Sequence, residues 1–349
     1  MQKILVVRND KIGDFMLAWP SFAMLKVSLP NTHITALVPK YTVALAELCP
    51  WIDSVLLDPT ENSSKEEQKK LLEKIKTEKF DVSINFFSTA YNAKLVWKAK
   101  IPYRLAPATK FTQILYNKRI VQRRSKSLKS EYEYNLDLVR SFLDDINKPI
   151  VEPSTPYLTF SESELITQKN KLAEILELDK NRSWLFVHAG TGGSANNLSL
   201  NQYRDLIAGL AAKFEIVLTA GPGEEGKAQE LKNLLAKIDV EARVYDKNDG
   251  LVDFSRSLAC ADLFTAGSTG PLHIAAALDV PTIGFFPSKR SATPLRWRPL
   301  NSVDTHIAFC PQNASSRGEQ DDLTRIDISY VLETIEPWIS NLKSSVKGM

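Results

Sequence analysis

The chain alternates short β-rich apolar runs with helix-compatible segments, and it does so twice. In the first half the runs are ILVV (4–7), ITALV (34–38), SVLL (54–57) and VSINFF (82–87). Between them lies a charged helix, SSKEEQKKLLEKIKTEK (63–79), with Leu71, Leu72 and Ile75 as its apolar stripe. A further helix, EYEYNLDLVRSFL (131–143), leads into the Pro-rich NKPIVEPSTPY, which reads as a linker. The second half restarts with WLFVHAG (184–190), EIVLTAG (215–221), ARVYD (242–246), DLFTAG (262–267) and PTIGFF (281–286). Helices are expected over 200–213, 222–238, 251–261 and from 268 onward. This alternation predicts an α/β chain of two βαβ lobes with parallel sheets, 1–152 and 153–328. The closing helix, 329–349, could pack on either lobe, the N-terminal one included. Ligands of such lobes sit beyond the carboxyl ends of the strands.

At 349 residues the length suits two domains, and 44% hydrophobic content suits ordinary cores. The net charge of +3 indicates no partner, but its distribution does. No Asp or Glu occurs from Val82 to Ser130, where eleven Lys and Arg accumulate. Either this is a solvated surface, or it is a face for an anion such as phosphate, carboxylate, nucleic acid or an anionic lipid headgroup. Phe111 and Tyr116 are too few aromatics for nucleic acid, and no RNA-binding signature accompanies them. Cys49, Cys260 and Cys310 have no spacing for zinc or a disulfide framework. No apolar run approaches the roughly 20 residues that span a bilayer. The opening MQKILVV passes straight into a strand. The expectation is a cytoplasmic chain, able to touch a membrane from that side.

Three loops follow strand ends. In RNDKIGDFMLAWPSF (8–22), Asp14 either caps a helix or does chemistry. Pro20 would kink a helix begun at Asp14, so the helix is expected to start near Trp19–Pro20, with Asp14 left in the loop. HAGTGGSANN (188–197) offers backbone N–H groups and hydroxyls to a phosphate, but it is neither a P-loop nor a dinucleotide fingerprint, and a plain Gly-rich turn is the alternative. In TAGSTGPLHIAAAL (265–278), Ser268, Thr269 and Gly270 open a helix whose first turn favours an anion, and His273 could reach it. The alternative there is a simple cap with a satisfied histidine.

The stretches RNDKIGDFMLAWPSFAMLK, FDVSINFF, KSEYEYNLDLV, VHAGTGG, LTAGPGEE and STGPLHIAAALDVPTIGFF fall in an order that resembles bacterial heptosyltransferases, glycosyltransferase family nine. The resemblance runs over nearly the whole chain, and IGD (12–14) and GPLHIAAALDVPTIGFF (270–286) are its most specific parts. It implies a GT-B fold with the acceptor on the N-terminal lobe and the nucleotide sugar on the C-terminal lobe. It also implies inverting, metal-independent transfer of heptose from ADP-heptose to the Kdo inner core of lipopolysaccharide, with no cofactor. The aspartate of the GD pair, Asp14 here, is then the general base. An inverting transfer needs one base for the acceptor hydroxyl and positive dipoles for the departing diphosphate.

The implied donor site comprises Thr191, Gly192, Ser194, Asn196, Ser268, Thr269, Gly270 and His273. Glu224 is placed like a family residue near the nucleoside, or else is an acid in a helix's first turn. Arg104, Arg119, Arg123, Arg124 and Lys126 are the partners expected for an anionic acceptor, since Arg binds carboxylate and phosphate bidentately. Six bases within 118–129 exceed the need of one carboxylate. They suggest a phosphorylated Kdo or contact with anionic lipid at the inner membrane. Two departures stand out. Asn196 or Asn197 occupies the place of a frequent family lysine, and Ser268 that of a frequent aspartate. These leave open transfer of another nucleotide sugar, an epimerase, or a non-catalytic nucleotide- or anion-binding protein.

Overall fold

Each half of the chain builds one parallel sheet. In the computed structural model, which describes residues 2–193 and 195–346, the division falls between Leu158 and Thr159. The first unit contains β1 (Lys3–Val7), β2 (His33–Pro39), β3 (Ser54–Asp58), β4 (Val82–Asn85), β5 (Tyr103–Pro107) and β6 (Lys118–Ile120), in the order β3-β2-β1-β4-β5-β6. Its helices are α1 (Ile12–Met16), α2 (Trp19–Ser28), α3 (Val43–Leu48), α4 (Lys65–Glu78), α5 (Ala90–Lys98) and α6 (Glu131–Asp145).

The second unit contains β7 (Ser183–His188), β8 (Phe214–Thr219), β9 (Arg243–Tyr245), β10 (Leu263–Gly267), β11 (Thr282–Phe285) and β12 (His306–Phe309), in the order β12-β11-β10-β7-β8-β9. Its helices are α7 (Glu162–Leu176), α8 (Leu200–Leu210), α9 (Glu225–Ala236), α10 (Leu251–Leu258), α11 (Gly270–Ala277), α12 (Arg317–Asp321) and α13 (Ile328–Val346). Counted from its own first strand, this sheet repeats the order of the first. In both, the chain changes direction across the sheet between the first and fourth strands, and the crevice beyond that point is where doubly wound sheets bind ligands.

The registers make those switch points level. Val7 pairs opposite Leu37 and Asn85, so β1 and β4 end together, with β2 running two residues further to Pro39. His188 stands opposite Ala266 and Thr219 in the same way. The central strands are buried on both faces, as parallel strands covered by helices must be. The sequence reading lacks β5, β6 and β12. β6 (KRI) is exposed for most of its three residues, and β12 (HIAF) is only partly buried. These edge strands carry little of the apolar signal that marks a central strand.

The segment after β1 differs from expectation in one respect. A helix does restart at Trp19, with Pro20 in its first turn, where a missing N–H costs nothing. Asp14, however, is not in a loop; it lies in the single-turn helix α1. The terminal helix α13 lays Val331, Ile335 and Ile339 into the apolar core of the second unit, beside Tyr203, Leu206 and Ile207 of α8.

Candidate active site

The end of β1 carries a cation into the interior of the first unit. Arg8 follows Val7 directly, donates its backbone N–H to Leu37 O (3.3 Å), and is buried. A buried guanidinium is tolerated only with partners. Its Nη1 donates to Phe86 O beyond β4 (3.2 Å) and to Glu131 Oε1 at the start of α6 (3.1 Å). Its Nη2 donates to Asp14 Oδ1 at 2.5 Å. Its Nε lies 3.0 Å from Asp10 Oδ1, a charge contact outside hydrogen-bonding geometry. Arg124 brings a second guanidinium to Glu131 Oε1 (2.8 Å), itself held by Gln122 Oε1 (2.7 Å) and the ring of Tyr134.

Three carboxylates therefore share two guanidinium groups. Burial is the largest influence on the acids, and it favours their neutral forms. Asp10 is pushed up to about 7 by burial, with Arg8 opposing and Asp14 and Glu131 adding to the rise. Asp14 is raised for the same leading reason, opposed by Arg8 and assisted by Glu131. Burial works against the charge of Arg8, but the three acids together hold it firmly protonated. Asp14 makes no cap bond: the residue before α1 is Lys11, and no side chain caps that helix. One Asp14 oxygen is fixed on Arg8, while Oδ2 accepts no hydrogen bond from the described residues. A carboxylate oriented by one oxygen and raised in basicity has the makings of a general base.

A second polar knot anchors the same loop. Asn9 and Asn92 exchange side-chain hydrogen bonds of 2.8 Å, and Asn9 also donates to the buried Asp58. Tyr91 donates to Asp58 at 2.8 Å, and Tyr41 donates to Asp10 O at 2.6 Å. The backbone around Asp14 is thus braced from β3, α5 and the turn before α3.

In the second unit the loop after β7 does form a cradle of N–H groups, but a protein carboxylate fills it. Glu224 Oε1 accepts from Thr191 N and Gly192 N, both at 2.5 Å, and Oε2 accepts from Gly221 N at 3.3 Å. His188 Nε2 lies 3.4 Å from Oε2, with Thr219 on its other nitrogen at 3.0 Å. The His188 contact, opposed by burial and aided by the N–H donors, lowers the Glu224 pKa to about 2. Gly192 and Gly193 adopt positive φ (53° and 70°), which shapes the cradle. A Cβ on Gly190 would collide with the Glu224 carboxylate. Glu224 precedes α9 but turns away from its own helix, which corrects the reading of an acid in the first turn.

The N–H groups of Thr191 and Gly192, expected to serve a phosphate, donate to Glu224 in this structure. Thr191 Oγ1 accepts from Gly193 N (3.2 Å). Ser194 lies outside the described residues. Asn196 donates to Asp321 O (2.8 Å), whereas Asn197 ties the loop internally through Ala189 O and Tyr203 Oη. Beyond β10, Ser268 gives its N–H to Phe285 O (3.1 Å), and Thr269 turns its hydroxyl back to Gly267 O (3.3 Å). Gly270 opens α11, and Pro271 follows in its first turn. His273 is not a cation at that helix start. It is buried, its Nδ1 has no hydrogen-bond partner among the described residues, and burial followed by the neighbouring His306 pushes its pKa down to about 3.

Of the expected acceptor cations, Arg124 joins the Asp14 cluster through Glu131. Arg104 instead braces a turn, donating to Ile101 O (2.6 Å) and Leu115 O (3.0 Å). Arg119, Arg123 and Lys126 are exposed and make no ion pair among the described residues. Sequence reasoning missed Arg8, Asp10 and Glu131. Their one signal is a cation set directly after four buried apolar residues, which demands carboxylates from elsewhere. Among the described residues no group of three His, Cys, Asp or Glu could hold a metal ion.

The family model described as glycosyltransferase family 9 (heptosyltransferase) matches residues 68–326. A Haemophilus influenzae protein provisionally named a glycosyltransferase is 57% identical over 344 residues, 98% of each chain. Lipopolysaccharide heptosyltransferase 2 of Salmonella typhimurium is 23% identical, over 84% of this chain and 85% of its own. The solved structure of Escherichia coli ADP-heptose lipopolysaccharide heptosyltransferase II superposes with a TM-score of 0.76 at 19% identity, covering 98% of this chain and all of the other.

Proposed function

The chain belongs to glycosyltransferase family 9 and has the GT-B fold, and from that premise we propose that it moves a heptose from ADP-heptose to an anionic sugar acceptor, the Kdo region of the lipopolysaccharide inner core. The observation that carries the reading is Asp14, held by one oxygen on Arg8 at the switch point of the first sheet and raised in basicity by its burial. The acceptor hydroxyl oxygen attacks the anomeric carbon as Asp14 takes its proton. The bond from that carbon to the diphosphate oxygen breaks, and ADP departs with the electron pair. Attack opposite the leaving group inverts the centre. First-turn N–H groups of α11, which lack intrahelical partners, suit the developing diphosphate charge. For the loop after β7 to add its N–H groups, the Glu224 carboxylate has to leave them. Likeness to the Salmonella lipopolysaccharide heptosyltransferase 2 and to the Escherichia coli ADP-heptose enzyme supports the donor and the class of acceptor. Arg119, Arg123 and Lys126 support an acceptor bearing carboxylate or phosphate. The reaction is read as metal-independent.

One observation favours a different nucleotide sugar on the same fold: the loop after β7 offers Asn196 and Asn197 where a lysine would meet a diphosphate. The test is transfer from ADP-heptose to Kdo-lipid A, with and without EDTA, beside thermal shifts with ADP-, GDP- and UDP-sugars. Transfer from ADP-heptose that survives EDTA and is lost in Asp14→Asn supports the reading. A larger shift and faster transfer with a UDP-sugar overturns the donor.

A further inference from the structure

The Arg8 cluster holds one acid to which the transfer reaction gives no task. Glu131 Oε1 accepts from both Arg8 and Arg124, and Asp14 Oδ1 accepts from Arg8 Nη2 at 2.5 Å. Asp10 has less. Its side chain is largely buried, and its Oδ1 lies 3.0 Å from Arg8 Nε without hydrogen-bonding geometry. That oxygen is itself buried and accepts no hydrogen bond among the described residues. Asp10 is thus held to Arg8 by Coulomb attraction alone, and of the three acids it loses least by keeping a proton.

The other groups around it point the same way. Arg8 and its own backbone N–H favour the Asp10 charge, whereas Asp14 on α1 and Glu131 on α6 oppose it. Lys11 is exposed and acts on Asp14. From the turn before α3, Tyr41 donates its hydroxyl to Asp10 O (2.6 Å), not to the carboxylate. Burial and the charges of Asp10, Asp14 and Asp58 keep that phenol protonated. Asp58, at the end of β3, is taken up by Asn9 and Tyr91. The second guanidinium, Arg124, reaches the cluster through Glu131.

Asp10 and Asp14 therefore share one cation, and each feels the charge of the other. We propose that Asp10 is a positioning residue that tunes the catalytic base: protonated, it lets Asp14 carry the negative charge beside Arg8, and ionised, it repels that charge and strengthens Asp14 as a base. Asp10 takes no proton from the acceptor; its own exchanges with solvent. Burial above all, with Asp14 and Glu131 adding to it against Arg8, lifts Asp10 to about 7, so the two forms exchange near neutrality. The titration belongs to the pair. This role rests on Asp14 being the base of the proposed transfer.

Carbon-13 labelling of the aspartate carboxyls in the full chain tests the coupling, with the Asp14 resonance assigned by its loss in Asp14→Asn. That resonance should show an inflection near pH 7, and Asp10→Asn should remove it while the thermal melt stays cooperative. Asp10→Ser, equally neutral and smaller, should do the same. In kcat/KM for transfer, Asn stands for protonated Asp10. Asp10→Asn should match the wild type within about twofold near pH 6 and fall about threefold to tenfold below it near pH 8.5, taking up to about tenfold per unit of lost basicity. The ratio of variant to wild type cancels any titration of the acceptor, and a merely structural role would lower activity by one factor at every pH. A ratio constant with pH, an Asp14 resonance without the inflection, or an inflection that survives Asp10→Asn would each overturn the proposal. A chain that transfers no sugar, or an active Asp14→Asn, breaks the transfer reading instead, and the carboxyl titration still decides whether Asp10 tunes Asp14.

Discussion

The two units set a carboxylate at the same kind of place and tune it in opposite directions. In the first, Asp14 lies beyond β1 among two further acids, and burial with like charges raises both it and Asp10. In the second, Glu224 lies over the loop beyond β7 on three backbone N–H groups and His188, and its pKa falls to about 2. Burial pushes both acids up, so it does not explain the difference. Their partners do: around Asp14 and Asp10 neighbouring acids repel a further negative charge, whereas around Glu224 N–H donors and one histidine stabilise it. Such repulsion keeps a carboxylate basic enough to take a proton, while a filled cradle makes it a structural anion.

The strongest way to break this contrast is to remove charge without shape. Asp14→Asn should lower transfer by about 10²–10⁴-fold, the usual worth of a general base. Its unfolding free energy should move by less than about 1 kcal/mol, because relief of like-charge repulsion offsets one lost hydrogen bond. A denaturant titration showing lost stability with intact turnover would reassign Asp14 as structural. Next in size, Glu131→Gln removes the carboxylate that Arg8 and Arg124 share. Breaking a buried pair of this kind costs about 3 kcal/mol, and a drop in the unfolding midpoint would register it.

Glu224→Gln should cost on the order of 1–3 kcal/mol, as hydrogen bonds to a charged group are lost from the cradle. Gly190→Ala should act in the same direction by pushing the flexible Glu224 carboxylate aside. If either variant tightened nucleotide-sugar binding in a calorimetric titration, Glu224 would be a competitor for the donor's phosphate.

The smallest effects sharpen the contrast by sign. Asp10 titrates near 7 when folded against 3.8 ordinarily, so the folded state holds the extra proton and stability falls as pH rises from about 4 through 7. Asp10→Asn should flatten that slope. Glu224 titrates near 2 against 4.5, so its stabilisation is present above about 4.5 and is lost as pH falls towards 2. Glu224→Gln should flatten that lower slope instead. Unfolding midpoints across pH would separate the two.

Much of this frame was legible beforehand for identifiable reasons. Central strands such as Ile4–Val7 and Leu263–Gly267 are continuous apolar runs, because parallel strands are covered on both faces. Pro20 correctly marked the start of α2, since proline has a preferred place in a helix's first turn. The same argument misplaced Asp14, because a single-turn helix such as α1 carries no periodic signal. β6 escaped notice because an exposed edge strand has no apolar face to reveal it. The loop at 190–193 was legible as an N–H cradle but its occupant was not, since Glu224 arrives from the loop after the next strand. From sequence, Thr191, Gly192 and His273 therefore read as partners for an anion. Their surroundings give the first two to Glu224 and bury the third.

By itself, then, the sequence determined the two parallel sheets and their family, because periodicity and local motifs depend on neighbours along the chain. Only the tertiary structure decided that Arg8 gathers Asp10, Asp14 and Glu131, and that Glu224 closes the cradle beyond β7. Those outcomes depend on burial and on charges brought together from up to 123 residues away, which no local pattern encodes.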